Sequence, residues 1–353
     1  MQITILAYLE PGDEKPDVVM EQAAQALESA GHKTAIVTIR DDVSAIVEKL
    51  KRPKPDLVFN LVESFGHDIL GGTMGVAGVL DLLELPYTGG GPGEIFIQED
   101  KALAKKLLAF EQIPYPDFAT FAPSAEFETG GNLRMPLFVK PLRMEASIGI
   151  DERSLVHDTQ ELIERVSYIH KRFGDSALAE EYIEGREFYV GVIGNQQLTA
   201  FPPIEMDFSG LEDGDLPIMD GQAKFDQNSS RYQGTRAVIA NLEPELKAKL
   251  QKVSMSAYRA LRVRDYGRID LRLTDTGEIF VIEVNANCYL EQHSEYATAA
   301  GAHGIQYPDL LNRIANLAME RWKHRSKAQR RRKKARALAA APAANGKANG
   351  KTG

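Results

Sequence analysis

The chain has 353 residues, 43% hydrophobic and 26% charged, which excludes a single small module and suits two or three units with cores of their own. Its formal charge of −8 is uneven: residues 323–353 hold eleven Lys or Arg and no Asp or Glu, leaving about −19 on the body, which argues against a general nucleic-acid enzyme. The one cysteine, Cys288, excludes a disulfide framework, and no apolar stretch reaches the roughly 20 residues of a membrane span, so a reducing, cytoplasmic setting is expected.

The N-terminus has no basic leader and no small-residue cleavage pattern, and Ile3–Tyr8 reads as a first strand ending at Pro11-Gly12. A helical pattern follows through Val18, Val19, Ala23, Ala26 and Leu27 to Gly31. Thr34–Ile39 and Asp56–Leu61 are further strand candidates around a helical stretch at Val43–Leu50, and this alternation predicts a parallel sheet in a first α/β unit over residues 1–95. Tyr87–Gly93 forms turns and leads to a helix over Asp100–Gln112. Beyond it, short strands at Leu137–Lys140, Ala177–Ile183, Glu187–Ile193, Arg268–Leu273 and Ile279–Val284 alternate with helices near Gln160–His170 and Pro244–Leu261, a mixed α+β half. The division expected is 96–183 for a central part, 184–322 for a C-terminal part, and 323–353 for a basic disordered tail.

The densest chemistry is Arg268-Ile269-Asp270, a turn at Asp275–Gly277, then Glu283-Val284-Asn285. On adjacent antiparallel strands, residues of one parity share a face, so Asp270, Glu283 and Asn285 can converge. Oxygen ligands without sulfur or imidazole suit Mg²⁺, with Mn²⁺ as an alternative, and Arg268 on the same face could stabilise a moving phosphoryl charge. Asp and Glu flanking a hairpin can also serve solubility alone. The apolar Phe280-Val281-Ile282 beside them favours a site.

An R-x-D strand followed by an E-x-N strand resembles the metal-binding strands of ATP-grasp ligases, and over about residues 1–320 the chain resembles the D-alanine–D-alanine ligases, with the motifs in family order. The resemblance implies an ATP-grasp fold, mixed α/β and α+β, behind an N-terminal parallel-sheet domain. It implies Lys101 and Lys140 on ATP phosphates, and a small-residue loop over Glu145–Gly149, including Ser147, that approaches phosphate through backbone N–H groups. It makes Glu180–Phe188 the nucleotide hinge, with Glu180 taking the adenine amino group, Glu181, Tyr182 and Ile183 lining the ring, and Glu187 holding the ribose. Taken alone, the lysines read as surface charges and the hinge as a charged turn.

The lid segment Gln222-Ala223-Lys224-Phe225 resembles the family's A-K-Y and makes Lys224 catalytic with Arg268, while Ser294 falls where a family serine meets the acceptor's carboxylate. Departures concern the substrates. Ala146 and Phe225 replace a serine and a tyrosine that join a glutamate in a hydrogen-bonded trio, for which Glu14 is a loose candidate. Glu63 stands near a family histidine, with His67 four residues on, and Ala286–Leu290 replaces the usual small residue, Pro and Gly. Cys288 and Trp322 read as packing.

The implied activity is an ATP- and Mg²⁺-dependent ligase joining a carboxylate to an amine through an acylphosphate. Its substrates would resemble amino acids, and Ser209–Gln233 would be the lid. A same-mechanism ligase for other amino acids or a hydroxy acid is the first alternative, and a non-catalytic nucleotide-binding protein the second. Relatives of this kind often dimerise through the first unit. The tail reads as solubilising or tethering, because no aromatic residue follows Trp322, rather than as a specific nucleic-acid or membrane element.

Overall fold

A computed structural model describes residues 1–340 except 10, 11, 14, 53, 67–70, 125, 130, 145 and 146, with side chains through residue 327. The expectations placed on Glu14, His67, Glu145 and Ala146, and the tail beyond residue 340, lie outside the described residues.

The first unit holds strands β1 (Gln2–Tyr8), β2 (Lys33–Ile39) and β3 (Leu57–Asn60), which form a parallel sheet in the order β2-β1-β3. The fully buried run Ile3–Ala7 puts β1 at its centre. Helix α1 (Val18–Ser29) starts where Asp17 caps the Val19 amide at 2.9 Å, and buries Val19, Met20, Ala23, Ala26 and Leu27, one stripe at helical spacing. Helices α2 (Val43–Lys51), α3 (Gly72–Leu82) and α4 (Pro92–Glu99) complete this part, and α5 (Lys101–Phe110), capped by Asp100, leads out of it.

Strands β4 (Phe118–Phe121), β5 (Phe127–Thr129), β6 (Leu137–Pro141), β7 (Leu155–Val156) and β8 (Ala177–Glu181) form a second, antiparallel sheet in the order β5-β4-β8-β6-β7. Helix α6 (Thr159–Phe173) packs on it and stops at Gly174, whose φ of +66° suits the left-handed C-terminal position.

The third sheet comprises β9 (Arg186–Gly194), β10 (Leu198–Ala200), β11 (Ile204–Asp207), β12 (Arg236–Ile239), β13 (Tyr266–Leu273) and β14 (Ile279–Ala286) in the order β12-β11-β9-β13-β14, with β10 beside β9. Along β9 the two-residue period sorts the core. Phe188, Val190 and Val192 face the cluster under α9 (Pro244–Ala260), while Tyr189 and Ile193 face the cluster with α10 (Glu295–Ala302) and α11 (Tyr307–Ala340). Short helices α7 (Gly221–Phe225) and α8 (Ser230–Gly234) lie in the expected lid segment.

The described part of the segment expected as a tail from residue 323 is helical. Helix α11 continues to Ala340, since Ala, Arg and Lys are strong helix formers even without an apolar face. Trp322 therefore sits within the helix, half-buried, with the Arg325 guanidinium 5.5 Å from its ring centroid, and is not a core residue. Among the described residues, no helix is long and apolar enough to cross a membrane.

Three polar groups, one of them fully buried, lock the first unit to the rest. Asp265 is fully buried and accepts hydrogen bonds from the Gly89 amide (2.9 Å), Asn195 Nδ2 (3.0 Å) and Arg321 Nη2 (2.6 Å). Arg321 also reaches the Tyr87 carbonyl, and Arg264 reaches that of Gly89.

Candidate active site

The facing sides of the second and third sheets enclose a pocket lined by Phe138, Lys140 and Glu180 from one and Glu187, Tyr189, Asp270, Arg272 and Glu283 from the other. Strand register builds its floor. Arg268 lies opposite Asn285 and Asp270 opposite Glu283, so all four share one face, and a bulge then advances β14 by one residue, pairing Leu271 with Val281. On the other side of β13, Asp270 faces Tyr189 and Arg272 faces Glu187 of β9.

Arg268 grips Asp270 bidentately at 2.8 and 2.9 Å, lies over the Tyr189 ring at 4.4 Å, and has Glu295 3.7 Å away. Asn285 Nδ2 donates to Asp270 Oδ2 at 3.1 Å. Burial pushes the Asp270 carboxyl up; Arg268 opposes that shift and Glu283 adds to it. Burial pushes Glu283 the same way, but Lys101, Lys140, Lys224 and Arg268 override it and hold this carboxyl at about 2. Two adjacent carboxylates in one pocket thus behave differently, because the cations gather around Glu283.

The donor set fits a hard divalent cation. Asp270, Glu283 and Asn285 offer only oxygen, and no group of three His, Cys, Asp or Glu suited to a metal occurs among the described residues. Two carboxylates and an amide match an ion that takes its other ligands from water and phosphate. The Arg268 guanidinium donates to both Asp270 oxygens and keeps the buried charge compensated.

The lysines converge from three elements. Lys101, on α5, donates to the Met144 carbonyl at 2.7 Å and stands 3.4 Å from Glu283. Lys140, at the end of β6, stands 2.8 Å from Glu180. Lys224, in the lid, has its pKa lowered by burial and by Arg268, against the pull of Glu283 and Asp270. The segment expected to close over the pocket is met by Ser147, whose φ is +59° and whose Oγ donates to the Met219 carbonyl at 2.7 Å.

In the segment expected to form the hinge, Glu180 is buried near the end of β8 and both its oxygens are engaged by lysines. The amides of Glu181 and Tyr182 donate to the carbonyls of Asp117 and Pro136, and the Glu181 side chain binds Arg134. Ile183 lines the same pocket. Glu187 accepts from Tyr189 Oη (2.9 Å) and Arg272 Nη2 (2.6 Å).

Ser294 is placed as the cap of α10, its Oγ accepting from the Ala297 amide at 3.3 Å, one residue before Glu295. Phe225 is 66% exposed and does not line the pocket. Cys288 is buried and its thiol is pushed well up by burial, so no thiolate nucleophile is present. The loop after Asn285 docks on distant segments: Asn287 accepts from the Gly90 amide at 2.8 Å, and Tyr289 Oη bonds Asp17 at 3.0 Å. Gly89 has φ +81° and packs so closely on Asn287 that a Cβ would collide.

Two residues escaped the sequence reading. Lys105, one helical turn after Lys101, pairs with Glu180 at 2.6 Å, and Arg272, two after Asp270, pairs with Glu187. The i, i+4 lysines of a helix and the R-x-D-x-R alternation of a strand were the available signals.

Comparison with known proteins agrees with this architecture. The sequence profile described as "D-ala D-ala ligase C-terminus" matches residues 107–316. The "uncharacterized protein y4sG" of Sinorhizobium fredii is 31% identical over 86% of this chain and 88% of its own. The D-alanine–D-alanine ligase of Desulfotalea psychrophila is 31% identical over 73% of this chain and 77% of its own. A crystal structure of the D-alanine–D-alanine ligase of Bacillus anthracis superposes with a TM-score of 0.73 at 26% identity, covering 92% of this chain and 99% of that one. Another, of the Bacillus anthracis enzyme complexed with ATP, gives a TM-score of 0.71 at 23% identity with the same coverage and shares the fold. The chain belongs to the D-alanine–D-alanine ligase family, ATP-dependent ligases built on the ATP-grasp fold.

Proposed function

We propose that the chain joins the carboxylate of one amino-acid-like substrate to the amine of a second, using ATP in the pocket between the second and third sheets. The observation that carries this reading is the register that brings Arg268, Asp270, Glu283 and Asn285 to one face, with Lys101 and Lys140 turned onto it. In the first step the substrate carboxylate attacks the γ-phosphorus, a C–O–P linkage forms, the bond to the β,γ-bridging oxygen breaks, and ADP leaves. In the second the amine attacks the acyl carbon, the C–N bond forms, phosphate leaves, and the ammonium proton passes to solvent.

Arg268, Lys140 and Lys224 would balance the charge on the transferring phosphoryl group, and Lys101 would reach the phosphates from α5. Asp270, Glu283 and Asn285 would hold a Mg²⁺ ion, with Mn²⁺ as the alternative, which when bound supplies electrostatic screening of the phosphates. Glu180, Glu181, Tyr182, Ile183 and Glu187 would hold the base and ribose, Ser147 would tie the phosphate loop to the lid, and Ser294 with the α10 N-terminus would receive the acceptor's carboxylate. The division of the folded chain near residues 95, 183 and 322 is part of this reading, as is residence in the cytoplasm. The first sheet ends before residue 95, the second lies between 95 and 183 and the third between 183 and 322, and the chain has a single, buried cysteine.

A second substrate pair is favoured by the docked loop. Ala286–Leu290 replaces the small residue, Pro and Gly of the resemblance, with Tyr289 of that stretch tied to Asp17, and Phe225 replaces the lid tyrosine. The test is ADP release by purified protein with Mg-ATP and D-alanine, then D-alanine with D-lactate and a panel of amino acids, with products identified by mass. Turnover with D-alanine alone assigns the family's namesake reaction, turnover only with another pair assigns a different ligase, and ADP release independent of any acceptor overturns the reading.

A further inference from the structure

Helix α5 carries two buried lysines one turn apart, and they serve different carboxylates. Lys101 belongs to the metal hairpin through Glu283. Lys105, 2% exposed, stands 2.6 Å from Glu180 Oε1, while Lys140 takes Glu180 Oε2 at 2.8 Å. Glu180 and Lys140 line the pocket; Lys105 lies behind that wall and does not. Three ionisable groups are thus removed from water together, and burial lowers the Lys105 pKa while Glu180 opposes that shift. A buried ion pair is weak as a source of stability, and a methionine at position 105 would fill similar volume without the desolvation cost. Retaining a lysine there points to a task performed through Glu180.

Charge balance identifies the task. Without Lys105, Glu180 and Lys140 would close into a neutral pair, with Lys140 spent on its neighbour. With Lys105, the trio carries one net positive charge, and the cation facing the pocket is Lys140. The same contact fixes one oxygen of Glu180 from behind, so the carboxylate keeps one orientation toward the pocket.

We propose that Lys105 is a positioning residue for the nucleotide: it holds Glu180 as a fixed, ionised acceptor for an amino-purine base and leaves the charge of Lys140 available to the phosphates. This rests on the nucleotide reading of the pocket given above. It predicts that a residue which never touches the nucleotide sets both affinity and base selectivity. A merely structural Lys105 would alter the melting temperature and leave selectivity alone.

The experiment is calorimetric titration of the full chain with Mg-ATP and with Mg-ITP, whose base lacks the amino group, in the absence of other substrates. Lys105→Met should weaken ATP binding about tenfold or more and lower the ATP-to-ITP affinity ratio by a similar factor, the scale of a charge-assisted hydrogen bond. Lys105→Arg should recover most of that ratio. In a Glu180→Gln background, where the carboxylate that Lys105 acts through is gone, Lys105→Met should change neither value further, and this double variant serves if the single one fails to fold. Additive losses, or a folded Lys105→Met protein within twofold of wild type in both values, would overturn the proposal. Lys140→Met and Glu180→Gln are the controls. If both bind ATP like wild type, the nucleotide reading itself fails; if they weaken binding and Lys105→Met does not, only the role of Lys105 falls.

Discussion

In the β13–β14 hairpin each functional side chain is placed by strand register, whereas the loop that follows it, residues 286–294, is placed by contacts to segments 188 to 272 residues away in sequence. The hairpin needs only a two-residue period and a turn to bring two carboxylates, an amide and a guanidinium together. The loop needs Gln98 on the Ala286 amide, Gly90 on Asn287, and Asp17 and Gln22 of the α1 region on Tyr289 and Glu291. In the proposed reading, the chemistry of phosphoryl transfer therefore falls on a locally specified element. In the same reading, substrate recognition falls on a surface assembled from three separate stretches, where single substitutions would change the partner without disturbing the fold.

The strongest way to break this contrast is at the hairpin. Asp270→Asn should lower ADP release by about 10³-fold, since it removes a ligand charge and the bidentate partner of Arg268. A variant that kept a tenth of wild-type turnover would place the phosphoryl chemistry elsewhere. Next comes the junction between units. Asp265→Ala leaves Arg321 without its buried carboxylate and should cost about 3–5 kcal/mol in chemical denaturation, with ATP affinity unchanged while the protein is folded. The smallest effect belongs to the loop. Tyr289→Phe deletes a hydrogen bond worth about 0.5–1.5 kcal/mol and should raise the KM of the carboxylate or amine substrate a few-fold without altering that of ATP. An equal change in the KM of ATP would show that loop and hairpin are one device.

The same division explains what could be read before any coordinates. Paired carboxylates of matching parity, the strands Ile3–Tyr8 and Leu137–Lys140, and the capped helices α1 and α5 are written locally, in period and punctuation. Helix α3 was missed because Gly72, Gly75 and Gly78 disguise its pattern, although the first of these has no room for a Cβ against the Phe65 carbonyl. The edge strands β5 and β12 are exposed along their length and so show no alternation. The basic segment after Trp322 was read by its lack of an apolar face, while its helix-forming residues decided the outcome through Ala340. Lys105 illustrates the remaining limit: its spacing from Lys101 puts it on the same face of α5, but its importance depends on a glutamate 75 positions later.

The Asp265 junction bears on how such enzymes can be recombined. A chimera that grafts the first unit of one relative onto the catalytic part of another inherits Tyr87 and Gly89 from one parent and Arg264, Asp265, Asn287 and Arg321 from the other. Because Gly89 tolerates no side chain against Asn287, and Asp265 needs both the Gly89 amide and Arg321, the crossover is safe only where these positions travel together. Shuffled libraries cut at the apparent border near residue 95 should therefore yield soluble members mainly when both parents carry the same residues at this seam.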